Sequence, residues 1–441
     1  MKHLAFHIFS LLLIVNISWN SNNLAAQEKL NFSQIDKLTY EYYSQKKWDE
    51  LINLGKQSLK NDIDFYYLQY RMGIAYYSQK NYRKAIPYFE KVVDKSPKDA
   101  IAKEYLYYSY LLGMQTEDAR KIFLSFYRKN REKVKFYNYR KAINSLALVY
   151  KYSMFNDYAV NNVVVENLIQ KVRNSMGYYS VNLLNYTATS SVFDFNFSLL
   201  NGNNSIFDAT YSSEIIEEKL NQYQLYFSWN KNLAVGSNLK LGISYMLETI
   251  KWYDSKTTSG VSQGNKILIY NGSTNNFVIF LSYTRSIKNV DLSIASSFSS
   301  INAETLIQPS LSLTYYPFGN SFLYTETSAF YQYNVGSETY NNLIIKQSLN
   351  SNLNSKLSIN IFGLYGEIYS FVDNGGLSIY NNLDALNYWY GLNANYSINK
   401  TMKIYLVLRN DGMINHYTQD GVVNDKSYGV KSILAGMLFN F

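Results

Sequence analysis

The 441-residue chain contains no cysteine. That absence excludes disulfide frameworks, thiolate metal sites, thiol nucleophiles and a lipid anchor attached through an N-terminal cysteine. Histidine is scarce too: of three, His3 and His7 lie near the start and only His416 lies in the body of the chain. Long apolar runs are missing. After residue 26 no stretch approaches the roughly 20 apolar residues that a membrane-spanning helix needs, and the mean hydropathy is slightly negative, −0.24. No glycine-rich phosphate loop leads into a helix, and there is no nucleophile elbow. What is abundant is aromatic: 17% of the residues, with 45 tyrosines, far more than a soluble core needs. Aromatic girdles at two membrane interfaces would use them. Every backbone amide in hydrocarbon must be paired, so a chain without spanning helices can cross lipid only as a closed barrel.

From about Ile143 the apolar period is 2. Tyr223, Leu225, Phe227 and Trp229 alternate with Gln222, Gln224 and Ser228, and Leu311, Leu313 and Tyr315 with Ser310, Ser312 and Thr314. The same pattern runs through Tyr388–Tyr396 and ends the chain at Tyr428–Phe441, where Ile433, Ala435, Met437, Phe439 and Phe441 share one parity. So many strands of this kind predict a lipid-facing belt around a polar lumen. Short turns at Thr187–Ser191, Lys231–Asn238, Ser286–Asn289, Pro317–Asn320, Asn352–Ser355 and Asn399–Lys400 alternate with longer links. Those links are expected at Asn156–Ser175, Asn201–Lys219, Tyr253–Asn275, Asn334–Asn341, Val372–Ala385 and Asp411–Asp425, and only Ile301–Glu304 breaks the alternation. The count predicts about 14 strands, the first near Ser145–Phe155, with both barrel ends on the short-turn side. Lys240, Glu248, Glu326, Lys346, Lys403 and Arg409 are the charged residues expected in a narrow or loop-occluded lumen, with no strong bias of sign.

Residues 1–26 have the layout of a secretory signal peptide, with Lys2, an apolar stretch from Leu4 to Ile17, and Leu24-Ala25-Ala26 before Gln27. Over 27–142 the spacing becomes helical. Tyr42-Tyr43-Ser44-Gln45-Lys46 recurs as Tyr76-Tyr77-Ser78-Gln79-Lys80, an offset of 34 residues. Gly73, Tyr76, Ala85, Phe89 and Pro97, with Val92 where alanine is usual, resemble a tetratricopeptide repeat. Tyr107, Tyr110, Ala119 and Phe123 continue the register, and Thr39, Leu51 and Gly55 begin it less well, so the module resembles about three repeats. The resemblance implies a peptide- or protein-binding groove, with Tyr76 and Tyr110 as candidate contacts; a rigid stalk without a ligand is the alternative. This stretch carries a charge surplus of +9, against −1 from Ile143 onward. Arg128, Lys129, Arg131, Lys133 and Lys135 head a basic run that suits an anionic neighbour or is simply solvated.

The final strand resembles that of bacterial outer-membrane barrels, which implies that the barrel-assembly machinery reads Phe441 as an assembly signal. The expected fold is therefore α + β: N-terminal tetratricopeptide repeats over 27–142 in the periplasm, then an antiparallel transmembrane β-barrel over 143–441 in the cell outer membrane of a Gram-negative bacterium. The composition resembles Bacteroidota outer-membrane proteins that pair a few repeats with a barrel, and the architecture is distantly similar to exopolysaccharide export porins. Two functions follow as expectations: a non-enzymatic scaffold whose repeats dock a periplasmic protein or an anionic envelope polymer, or a transport or secretion channel, possible cargo including polysaccharide. Outer-membrane lipids are expected partners, nucleic acid is not, and no cofactor or metal is expected. Asp411, Asn415, His416 and Asp420 form an acid/base cluster on paper only, as solvated residues of one outer loop.

Overall fold

The computed structural model describes residues 31–126, 142–187, 191–254, 267–335 and 341–441. The expected signal peptide and the basic residues Arg128, Lys129, Arg131, Lys133 and Lys135 lie outside the described residues. The described residues contain six α-helices followed by fourteen strands.

Helices α1 (Phe32–Ser44), α2 (Trp48–Lys60), α3 (Tyr66–Ser78), α4 (Tyr82–Lys95), α5 (Ala100–Leu112) and α6 (Thr116–Leu124) pack consecutively. Their ends are written locally. Asn31 and Gln34 close a capping box on α1, Asn81 caps α4, and the Asp99 carboxylate accepts the Ile101 and Ala102 amides at the start of α5. Pro97 follows the end of α4. The link inside each pair turns through a left-handed residue, Lys46, Lys80 and Met114, at φ 56°, 59° and 64°. These positions recur at the 34-residue spacing, so all three units share one turn although only the middle unit matches well in sequence. The core consists of Leu51, Leu68, Met72, Phe89, Leu106 and Tyr107, each at most 2% exposed. Burying such a side chain is worth about 1.5–3 kcal/mol. Gly73 lets the Phe89 ring lie on its helix, where a Cβ would come within 2.8 Å of the ring.

The strands are β1 (Ser145–Phe155), β2 (Leu168–Tyr186), β3 (Ser191–Asp208), β4 (Ile216–Ala234), β5 (Ser237–Asp254), β6 (Ile267–Ile287), β7 (Val290–Ile301), β8 (Glu304–Tyr315), β9 (Leu323–Val335), β10 (Asn341–Asn352), β11 (Leu357–Asp373), β12 (Ser378–Ser397), β13 (Met402–Gln419) and β14 (Val422–Asn440). Each pairs antiparallel with the next, and β1 closes on β14 from Ser145↔Asn440 to Phe155↔Val430. Closure leaves no strand edge. Leu225, Ile243, Leu281, Leu311, Ile361 and Leu406 project outward, while Gln224, Ser244, Ser328, Gln332 and Ser432 are buried on the inner parity. An apolar band around a polar interior is the solvent pattern of a barrel in lipid. No described helix is long and apolar enough to cross a membrane.

Two of the long links differ from expectation. Asp411–Asp425 is not a loop: β13 and β14 run through it and meet in a two-residue turn, with Asp420 and Gly421 at φ 52° and 76°. The Asp-Gly dipeptide is the type I′ hairpin signal, and it lies in a polar stretch that resembles a loop. Val372–Ala385 is not an outer loop either. β11 leaves the wall at Gly366, whose φ of +151° suits glycine, and the pairs Ser370↔Asn381 to Asp373↔Ser378 form a hairpin folded into the lumen.

Candidate functional site

Two places bring charged side chains together: the rim where the helices meet the barrel, and the lumen. At the rim, Arg83 in the first turn of α4 is wholly buried against the turns of the barrel. Its Nη1 and Nη2 donate to the two oxygens of Asp291, each at 2.8 Å, and Nη1 also donates to the Lys288 carbonyl at 3.2 Å. Nε donates to the Gly113 carbonyl at 2.7 Å, which ties in the α5–α6 link. The guanidinium lies 3.7 Å above the Tyr316 ring. A planar fork can bond a carboxylate in bidentate fashion and stack at the same time; an ammonium cannot. Around it the Arg83 amide donates to the Gly319 carbonyl, and Asn320 donates to the Lys80 carbonyl.

A second contact is built on α6. Asp118 accepts from Asn232 Nδ2 and from the Gly236 amide, both at 3.0 Å, so the β4–β5 turn is bound through its backbone. Burial pushes the Asp118 carboxyl above the usual range, although both donors pull it down. Arg120, paired with Glu117 at 2.8 Å, stacks on Tyr186 at the end of β2. Four short-turn regions, after β2, β4, β6 and β8, thus meet one module, which sits at the short-turn end. Alternating turn lengths in the sequence placed it at that end; nothing local marked Arg83 or Asp118 as contacts.

The lumen is obstructed from within. The tip of the lumenal hairpin, Asn374–Gly376, has three consecutive left-handed residues, at φ 51°, 70° and 90°. The Gly375 and Gly376 carbonyls accept from Tyr226 and Ser244 on the far wall, and the Leu377 carbonyl accepts from Gln224. Gln308 donates from Nε2 to the Val372 carbonyl and accepts the Val372 N–H at Oε1, and Lys346 pairs with Asp373 at 2.6 Å. At the loop end a buried network adds a cap. Asp384 accepts from Tyr158 at 3.0 Å, from Tyr428 at 2.6 Å and from Asn415 at 2.7 Å, and Gln170 ties Asn415 to the Tyr158 carbonyl. Tyr158 and Tyr428 stack with ring centres 3.7 Å apart.

Below the cap lies a cavity of about 800 Å³. Glu326, Lys346 and Arg409 line it. Arg409 is bonded twice to Asp411 and once to Tyr380, and lies 4.0 Å over Trp389. Lys240 faces the hairpin tip and Glu248 accepts from Asn381, whereas Lys403 occupies the inner parity one residue into β13. The predicted lumen charges therefore serve largely to hold the hairpin and one another.

Other candidates do not converge. Tyr76 and Tyr110 are 5% and 1% exposed; Tyr76 stacks on Tyr88 and Tyr110 donates to Glu90, so both are core residues rather than groove contacts. The reason is geometric: at those repeat positions the ring points into the neighbouring helix pair. His416 pairs across the hairpin with Asp425, while Asp411 and Asn415 face inward to Arg409 and Asp384, so the four loop residues are parted by strand alternation. Phe441 is exposed, and its amide donates to the Asn144 carbonyl at 2.9 Å. No group of residues suited to hold a metal occurs among the described residues.

A family model for the tetratricopeptide repeat matches residues 66–99, the α3–α4 pair and the segment after it. No curated protein matches the chain. Among solved structures, the chain is similar to the P. putida toluene transporter TodX, at 7% identity and a TM-score of 0.46 over 69% of this chain and 91% of that one. A Pseudomonas aeruginosa FadL homologue aligns at 9% identity and 0.43 over 68% and 91%, and the translocator domain of autotransporter NalP from Neisseria meningitidis at 10% and 0.34 over 69% and 91%. At such scores these likenesses carry nothing to the function of this chain.

Proposed function

We propose that this chain is a non-enzymatic outer-membrane barrel with a closed lumen, which holds its repeats at the periplasmic rim as a fixed docking platform for a periplasmic protein or an anionic envelope polymer. In this reading residues 1–26 direct export, 27–142 form the platform and 143–441 the anchor. The observation that carries it is the rim contact: a swinging tether would need no buried bidentate pair, and this module is bonded to successive turns. Its free surface includes Tyr40 and Tyr67, which flank Arg71 with their rings 5.4 and 5.6 Å from the guanidinium. Tyr67 lies in the first turn of α3, the end away from the Lys80 contact with the rim. A second reading, a channel gated by the hairpin, is favoured by the cavity below the cap.

The orientation is tested first. A tag at Asp420–Gly421 is expected to be labelled on intact cells, and one at Asn399–Lys400 only after the outer membrane is opened; the reverse result overturns the platform. A photo-crosslinker at Tyr67 is then expected to give a discrete adduct in cells that the same group at buried Tyr76 does not give. No adduct at Tyr67, together with steady ion conductance of the reconstituted chain, would decide for the channel.

A further inference from the structure

The cavity has a chemistry that the rest of the lumen lacks. Part of its wall is neutral and polar, with Asn182, Asn196, Ser348, Asn350 and Asn360. Across β13, β14 and β1, however, the inner parity carries an apolar strip, with Val407, Leu434, Val149 and Ala147 facing the cavity and Leu184 of β2 at its lower end. Val407, Leu434 and Lys151 are cross-strand neighbours in one row, since Leu434 pairs with both Val407 and Lys151. The Tyr405 ring lies flat over Gly436, where any Cβ would strike it, and so smooths the same strip. A polar lumen has no need of such a strip.

At the upper end of the strip stand two donors with no acceptor. Lys151 lines the cavity and has no hydrogen-bond or ion-pair partner among the described residues. The charges that act on it are Arg409 and Asp411, and Asp411 is already held by the Arg409 fork. Trp389 is 3% exposed, and its indole N–H has no acceptor. Arg409 stacks on that indole at 4.0 Å, so the two unsatisfied donors flank one guanidinium. An unpaired, half-buried ammonium and an orphaned buried indole N–H are both costly, and an anion accepting from the two would offset both costs.

The cavity is closed above by the Tyr158–Asp384–Tyr428 network, whereas its lower lining reaches Ala147 and Leu184, both two residues from a strand end at the short-turn rim. It is thus a blind pocket facing the helical module rather than a pore. We propose that it binds a single-chain anionic amphiphile, with the head group accepting from Lys151 and Trp389 and the tail lying on the strip of Val149, Val407 and Leu434. This site is independent of what the helices dock.

The test uses the full chain in an amphipol, free of competing detergent, with decanoate, decyl phosphate, decanol, decyltrimethylammonium and acetate as probes in calorimetric titrations. Decanoate or decyl phosphate is expected to bind, and whichever binds more tightly distinguishes a free carboxylate from a phospholipid fragment. Loss of a charge-assisted hydrogen bond in Lys151→Met is expected to weaken that anion roughly tenfold or more, leaving decanol within twofold (about 0.4 kcal/mol). Val407→Asn is expected to weaken the long-chain anion while leaving acetate unchanged. Equal binding of decyltrimethylammonium, or an anion affinity untouched by Lys151→Met in a barrel that keeps its heat-modifiable mobility, overturns the head-group site. Affinity that does not rise from acetate to decanoate overturns the strip.

Discussion

Replacing Arg83 with glutamine is expected to loosen the helical module at the barrel rim. The substitution leaves Asp291, whose side chain is 16% exposed, facing the module without its cation, and removes the stacking on Tyr316 and the bond to the Gly113 carbonyl. Breaking a buried pair from one side costs about 3–5 kcal/mol, mostly because the remaining charge stays desolvated. At about 1.4 kcal/mol per factor of ten, the equilibrium constant for closing this contact should fall by roughly two to three and a half powers of ten. The Asp118 contacts to the β4–β5 turn remain, so the module should pivot rather than part. The absence of cysteine makes the measurement direct. Spin labels on cysteines introduced at Lys60 and Lys356 should give a narrow distance distribution in the parent chain and a broad one in Arg83→Gln. Asp291→Ala should broaden it as well, and the double variant should add little, because the two side chains form one interaction. Arg83→Lys should fall between, keeping the charge but losing the fork and the stack. A distribution as narrow in Arg83→Gln as in the parent would mean that the Gly319, Asn320 and Asp118 contacts hold the platform without the Arg83 fork.

Excising the lumenal hairpin is expected to have the other large effect. Joining Glu367 to Asn382 through an Asn-Gly turn removes the tip that crosses to Tyr226, Ser244 and Gln224. It also removes Phe371 and Ile368, both fully buried, and frees Lys346 from Asp373. In planar bilayers the parent chain should be silent and the excised form should show steady openings. Lys346 and Glu326 should then face water, and exchange of either should alter the ion preference of the open form. A stability loss accompanies the change: large buried side chains are worth about 1.5–3 kcal/mol each, so a lower unfolding temperature is part of the expected result. Silence in a correctly inserted excised barrel would move the barrier to the Tyr158 cap. Steady conductance of the parent would instead leave the hairpin as no barrier at all.

The repeat module and the staves were legible for one physical reason: both are periodic. A period of 2 places Leu225 and Leu311 outside and Gln224 and Ser312 inside, and no other register buries the polar set away from lipid. The 34-residue offset of Tyr42–Lys46 and Tyr76–Lys80 reflects a unit that must stack to bury its face. Position within the unit was less legible. Tyr76 and Tyr110 sit at family positions, yet whether such a ring lines a groove or a core depends on the helix pair beside it, and here that pair covers both. Asp411, Asn415, His416 and Asp420 form no cluster, because residues close in sequence alternate between two faces once they are strand. Lys151 and Trp389 passed unremarked since one lysine among apolar neighbours and one tryptophan on the minor parity look like exceptions to a pattern.

By itself the sequence determined the order of the parts, an approximate strand number, the side each residue takes in the wall and the end at which the helices sit, because these depend on neighbours in the chain and on the contrast between lipid and water. Only the tertiary structure decided that the link after β11 turns inward at Gly366, that Arg83 meets Asp291 across 208 positions of chain, and that Lys151 and Trp389 share a cavity under the Asp384 cap. Those are meetings of residues far apart in the chain. Their energies come from excluding water between specific pairs, which no local pattern encodes.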